Sequence, residues 1–245
     1  MASTDQDWEI YGQQDPYYGV YTRPKFLGRL SPELKREFME SGELYVGSTI
    51  DRSVSLFGEM NKGRALDFGC GVGRLAIPLS RRFGEVVGVD ISKSMLAEAA
   101  FNCAEASINN LSFAQSLDEV RGSFDFINCY VVLQHIPVDR GMKIIAGLLD
   151  RVAPLGRAVL HVSLRRDYSL LEKLKYFAKH NIWGVRQSFN LLRGFPANRP
   201  AMQMNEYDLL QVIERFHARG FETALELAYY GKIVTAKIFG RKCAA

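Results

Sequence analysis

The 245-residue chain has few cysteines and no arrangement of them that would cross-link it. Cys70, Cys103, Cys129 and Cys243 are scattered, with no Cys-x-x-Cys pair. That excludes a disulfide framework and leads us to expect a reduced, cytoplasmic protein. No apolar run reaches the length of a bilayer span, so no transmembrane segment is expected. The first residues also lack the basic-then-apolar pattern of a signal peptide. Internal repeats and low-complexity linkers are absent. So is any carboxylate–histidine cluster that would suggest a metal, and any glycine loop ending in Gly-Lys-Ser/Thr for phosphate. A strong overall charge is missing too: the net is +4, too small by itself to imply nucleic acid. Its distribution is uneven, however. Residues 165–204 hold eight Lys or Arg against Asp167 and Glu172, a net of +6, and the remainder of the chain sums to −2. The length allows one large domain or two small ones, with a sizeable core in either case.

What is present is organised around Arg64-Ala-Leu-Asp-Phe-Gly-Cys-Gly-Val-Gly-Arg74. Arg64 to Phe68 reads as a short strand running into Gly69, Gly71 and Gly73. From Val72 to Phe83 the apolar residues Leu75, Ala76, Leu79 and Phe83 fall on one helical face. Strand, glycine turn and helix open a nucleotide-type βαβ unit. Glu85 to Asp90 is a second apolar strand ending in an acid, at the spacing of a carboxylate that binds two ribose hydroxyls.

The ligand can be narrowed by charge. A dinucleotide loop needs a third glycine where Arg74 stands, and Asp67 at the end of the first strand would repel a diphosphate. An acid there attracts a ligand carrying cationic groups. S-adenosylmethionine (SAM) has an ammonium and a sulfonium and no phosphate.

Leu66-Asp-Phe-Gly-Cys-Gly-Val-Gly-Arg-Leu75 and Gly88-Val-Asp-Ile-Ser-Lys-Ser-Met95 resemble the first two motifs of the class I SAM-dependent methyltransferases. Gly122-Ser-Phe-Asp-Phe-Ile127 and Val132-Leu-Gln-His-Ile-Pro137 resemble the fourth-strand region of the branch acting on small molecules. The resemblance is close over residues 62–164 and loose over 205–240, and four motifs in order are specific where one is not. It implies an α/β fold with a seven-stranded, mostly parallel, Rossmann-like sheet and helices on both faces. SAM would be the cofactor and S-adenosylhomocysteine (SAH) the product.

Along the chain, residues 1–61 are expected to form an N-terminal arm and helices, and 62–245 the methyltransferase domain with 165–204 inserted on the acceptor side. Residues 1–30 are rich in aromatics (Trp8, Tyr11, Tyr17, Tyr18, Tyr21) and fit neither a helical nor a strand period. They read equally as a docked arm or as a lid that keeps water out. Ser31-Pro32 starts one helix, and Leu44 to Met60 reads as another. Ser92 caps the helix bearing Met95. Strands follow at Leu111–Gln115, Ser123–Leu133 and Arg157–Leu164, with a helix from Pro137 between the last two. The C-terminal part reads as a helix capped by Asn205 and stopped by Gly220, then strands at Glu222–Ala228 and Lys232–Phe239. The 165–204 insert has helical spacing at Leu170, Leu171, Leu174 and Phe177, with Trp183, Phe189 and Phe195 beyond. Either its basic face is solvated, or it turns inward and selects an anionic acceptor.

The ends of the first, second and fourth strands should surround one crevice. The resemblance places Asp67, Gly69, Cys70 and Gly71 at the methionine portion of SAM, with Arg74 either on its carboxylate or on the helix surface. Asp90 would hold the ribose, Ile91 and Met95 the adenine face, and Ser116 and Leu117 the adenine edge. Many relatives carry an acid for the adenine amino group where this chain has Gln115-Ser-Leu-Asp-Glu119, so that contact is displaced or made by backbone. Tyr130, also a cofactor contact, and His135 are the catalytic candidates. His135 can titrate near neutral pH as a base, or it simply fixes its loop. His161 could face the crevice but reads better as a satisfied buried histidine, and His180 and His217 as surface residues.

The expected activity is methyl transfer to an O or N atom of a small-molecule acceptor, such as a nucleotide-sugar or a phosphorylated or carboxylated metabolite. The Asn/Asp-Pro-Pro-Tyr/Phe signature of DNA-base amine methylation is replaced by Asn128-Cys-Tyr-Val131, so DNA is disfavoured. RNA remains an alternative acceptor because of the basic segment. A SAM-binding protein without turnover and an NAD-dependent oxidoreductase are the other readings. Oligomeric state is left open.

Overall fold

The computed structural model describes residues 4–182, 184–193 and 195–244. Trp183 lies outside the described residues, as does the side chain of His180. The strands β1 (Arg64–Phe68), β2 (Glu85–Val89), β3 (Leu111–Ala114), β4 (Phe124–Cys129), β5 (Val152–Arg166), β6 (Phe221–Tyr230) and β7 (Ile233–Lys242) form one sheet in the order β3-β2-β1-β4-β5-β7-β6. β1 to β5 pair in parallel, and β7 inserts antiparallel between β5 and β6. This is the expected seven-stranded, mostly parallel, Rossmann-like sheet. Its central strands read as unbroken apolar runs because both of their faces are covered.

The helices are α1 (Thr4–Gln14), α2 (Pro16–Val20), α3 (Pro32–Phe57), α4 (Ala76–Ser80), α5 (Lys93–Glu105), α6 (Val138–Asp150), α7 (Leu170–Asn181), α8 (Val185–Leu192) and α9 (Leu209–His217). On one face of the sheet, Ile145, Leu148 and Leu149 of α6 and Val212 and Phe216 of α9 pack against Leu66, Ile127 and Leu160. On the other, Val46 and Ile50 of α3 and Leu79 of α4 pack against Ala65, Phe126, Val159 and Phe239. A third cluster joins Tyr11, Tyr17, Phe26, Phe38 and Met95, fastening the N-terminal aromatics to α5.

Several expectations need correction. Residues 4–20 are helical: α1 and α2 touch protein on more than one side, which blurs the apolar period that marks a surface helix. The two helices expected between residues 31 and 60 are one, capped by the Ser31 hydroxyl accepting from the Leu34 amide. Gly42 looks like a break but serves close packing, because a Cβ there would collide with the Arg74 carbonyl. The helix after the glycine turn shrinks to Ala76–Ser80, with its predicted apolar residues buried nonetheless. β4 stops at Cys129 rather than Leu133, where the chain turns through Val131 (φ 60°) into a 3₁₀ turn, Leu133–His135. β5 begins at Val152, absorbing Pro154-Leu-Gly156 as an irregularity with Leu155 at φ 60°. The cap of α9 is Asp208, whose carboxylate accepts from the Leu210 and Gln211 amides, while Asn205 donates to the Gln134 carbonyl. β6 and β7 each extend beyond the expected bounds.

Candidate active site

The carboxyl ends of β1, β2 and β4 open on a cavity of about 400 Å³. Of the twelve predicted site residues, Gly69, Cys70, Gly71, Arg74, Asp90, Ile91, Met95, Ser116, Leu117, Tyr130 and His135 line it, and Asp67 does not. The glycine turn is shaped for close approach. Gly69 has φ 75°, and a Cβ there would strike Val132. Gly71 has φ 52°, and a Cβ there would strike Val20. Loop, fourth-strand turn and α2 thus meet through glycine.

Two carboxylates set the electrostatics. Asp90 Oδ2 accepts from the Gly71 amide and Oδ1 from the Ser92 amide, each at 2.9 Å, so one side chain fixes both the glycine turn and the start of α5. Burial pushes its pKa up to about 6, against the pull of those two amides. Asp67 sits behind the cavity wall, with Oδ1 accepting from Asn128 Nδ2 at 2.7 Å and Oδ2 buried without a partner. Its pKa is raised to about 7 by burial, with the Asn128 hydrogen bond and the Arg74 charge opposing. Arg74 is itself buried, with its guanidinium 5.3 Å from the centre of the Tyr21 ring and a long 3.4 Å hydrogen bond to Ser41. The surface reading of Arg74 is therefore overturned.

His135 is buried, and its Nδ1 lies 2.7 Å from the Gln203 carbonyl. A carbonyl only accepts, so Nδ1 carries the proton and Nε2, 3.3 Å from Gln134 Nε2, offers the lone pair. Burial lowers its pKa to about 4, outweighing the Gln203 contact. At neutral pH His135 is uncharged and weakly basic. Tyr130 packs on Tyr45 (ring centres 4.0 Å apart) and against His161 (5.0 Å), and burial raises its pKa well above the usual phenol range. His161 is buried with neither ring nitrogen hydrogen-bonded, so the expectation of a satisfied histidine fails, and it does not line the cavity. His217 is exposed, as expected.

The roof comes from the N-terminal residues, which the sequence left open as arm or lid, and not from the insert. None of the described residues of 165–204 lines this cavity; Thr4, Asp5, Trp8, Gly19 and Val20 do. Residues 165–204 support that roof from behind: Tyr11 donates to the Pro200 carbonyl, Arg199 pairs with Asp15, and Gln203 holds His135. Glu9 latches α1 onto α5 by accepting from the Ser92 and Ser94 hydroxyls at 2.8 and 2.6 Å. Burial pushes the Glu9 pKa up, but these hydrogen bonds prevail and hold it below the ordinary value. Sequence reasoning also missed Val131, a β-branched residue in the left-handed region and on the cavity wall, where strain of order 1–3 kcal/mol is characteristic of functional sites. Asn128 was passed over as well; only the parallel register, which sets it beside Asp67, shows its use.

Residues 65–156 match a protein family described as a methyltransferase domain. A ubiquinone biosynthesis O-methyltransferase from Dechloromonas aromatica is 29% identical over 126 residues, 50% of this chain and 52% of that protein. A magnesium-protoporphyrin O-methyltransferase from Synechocystis is 40% identical over 91 residues, 35% of this chain and 40% of that protein. Residues 65–156 therefore carry a methyltransferase domain, similar to those of SAM-dependent enzymes. The similarity spans about half or less of the length of these curated relatives. The crystal structure of magnesium protoporphyrin IX methyltransferase from Synechocystis PCC 6803 with bound SAH is similar at a TM-score of 0.63. It is 22% identical and covers 97% of both chains, a likeness of fold.

The cavity fits SAM on three local grounds. The glycine turn presents backbone where any side chain would collide. Asp90 reaches the cavity with lone pairs to spare beyond its two amides. Asp67 keeps a buried oxygen without a donor, which a nearby cationic group would favour.

Proposed function

We propose that the protein binds SAM in the β1–β2–β4 cavity and transfers its methyl group to a small-molecule acceptor. Oxygen is the favoured acceptor atom, because both curated relatives above are O-methyltransferases. The observation that carries the reading is the convergence of eleven of the twelve predicted site residues on one cavity.

When bound, SAM supplies an activated methyl on a sulfonium that is already a good leaving group. What the chain adds is binding, alignment and dryness. Asp90 accepts from the ribose hydroxyls, and Ile91, Met95 and Leu117 enclose the adenine. Asp118, which lines the cavity in the Gln115–Glu119 stretch, takes the exocyclic amine. Gly69 and Gly71 offer backbone to the methionine portion. Asp67 acts on the ammonium through water or through its field, since it stands behind the wall. Arg74 meets the methionine carboxylate, or an anionic group of the acceptor.

The acceptor occupies the part of the cavity bounded by Trp8, Val20, Tyr130, Val132 and His135. There His135, neutral and fixed between Gln203 and Gln134, shapes the acceptor end of the cavity rather than storing a proton. The three buried, unpaired cysteines support the reduced, cytoplasmic setting.

Isothermal titration with SAM and with NAD tests the cofactor; tight binding of NAD alone would end this reading. Incubation with methyl-labelled SAM and a metabolite extract tests turnover. Labelled small-molecule product is expected, and SAM binding without any product would make the protein a non-catalytic binder.

A further inference from the structure

The segment that carries the chain's excess positive charge turns its apolar face away from the protein. In α7, Leu170, Leu171 and Leu174 are 75%, 60% and 57% exposed, and beyond it Ile182 is 51% exposed. In α8, Leu191 and Leu192 are 63% and 87% exposed. Single exposed leucines are ordinary, but five on two consecutive short helices are not.

The arrangement is built rather than frayed. α7 begins with a capping box between Ser169 and Glu172, and Glu172 is clamped by Lys232, in the turn before β7, at 2.7 Å. Tyr176 looks inward, its hydroxyl accepting from the Met204 amide and its ring under the Arg166 guanidinium. α8 is anchored by buried Asn190, which donates to the Ala197 and Arg199 carbonyls. With about 100° per helical residue, Leu170, Leu171 and Leu174 share the side of α7 opposite Tyr176, and Lys173 and Lys175 flank them on either side. Among the described residues no ion pair involves Lys173, Lys175, Arg186 or Arg193, whereas Arg165, Arg166 and Arg199 are paired within the protein. Lys173 and Lys175, which border the apolar stripe of α7, are thus among the described cations left without a counter-charge.

We infer that α7 and α8 dock on an anionic lipid surface. A leucine stripe edged by lysine and arginine lies in the headgroup region, burying its apolar side while the long basic side chains reach the lipid charges. Each cation near such a surface adds attraction that salt weakens. A second copy of the chain is a poorer occupant, because an isologous contact would press two patches bearing Lys173 and Lys175, of like charge, against one another. The inference does not depend on the methyl-transfer reading.

Co-sedimentation of the full chain with phosphatidylcholine vesicles, with and without phosphatidylglycerol, tests it. Binding is expected to the phosphatidylglycerol vesicles, weakened by salt. Leu171→Glu or Leu192→Glu should each lower the partition coefficient about tenfold, and Lys173→Glu combined with Lys175→Glu should lower it by a similar factor. Circular dichroism and SAM titration, unchanged in these variants, report that they fold. Equal binding to both vesicle types, or binding to neither, overturns the proposal. So does a vesicle-free dimer in sedimentation equilibrium that Leu171→Glu dissociates.

Discussion

Asp90 joins ligand and scaffold in one side chain, because the carboxylate proposed for the ribose also holds the Gly71 and Ser92 amides. Asp90→Ala should weaken SAM binding at least about tenfold, the scale of lost hydrogen bonds to a charged group; calorimetric affinity unchanged from wild type would remove Asp90 from the site. His135 makes a different kind of prediction. Its pKa of about 4 leaves it neutral across the working range. His135→Ala should therefore lower kcat more than SAM affinity, and wild-type kcat should show no inflection near pH 6.5 assignable to it. An inflection that vanishes in the variant would restore His135 as a titrating base. The cofactor half of this site was legible in the sequence because its groups are local: three glycines and two strand-end acids within residues 67–90. The acceptor half was legible only in Tyr130 and His135, because Trp8 and Val20 reach it from more than forty residues before β1, and Val131 reaches it by a backbone conformation that valine rarely adopts.

At the level of elements, helices α1 and α2 do what the insert was expected to do. The alternation of strands and helices, and the closing pair of strands, could be read from alternating periods. The roof could be read only as one of two alternatives for residues 1–30, since its period is blurred by contacts on several sides and its partner, α5, lies some eighty residues away. Glu9 is the fastening point. Glu9→Ala should leave the fold intact but speed proteolytic cleavage within residues 4–20 and raise the SAM dissociation rate several-fold, while Asp90 contacts keep the association rate near wild type. Equal protease lifetimes for the two proteins would mean that packing by Trp8, Tyr11 and Tyr17 alone holds the roof.

Over the whole molecule, buried titratable groups act on stability in opposite senses. His135 and His161 fall from 6.5 to about 4, so the unfolded chain binds more protons between those values and stability grows as pH rises through them. Asp67 and Asp90 rise from 3.8 to about 7 and about 6, so the folded protein binds more protons there and stability declines as pH rises. Above about pH 6.5 the Asp67 contribution stands almost alone. Without cofactor, the unfolding temperature of Asp67→Asn relative to wild type should therefore climb steadily from pH 5 to pH 8; a difference independent of pH would mean that Asp67 ionises normally. The roof has a kinetic consequence as well. Because Glu9 draws on the serines that begin α5, next to the loop gripped by Asp90, departure of the proposed cofactor is expected to require that latch to let go. Exchange of spent for fresh donor would then be paced by the roof, however quickly the methyl itself moves.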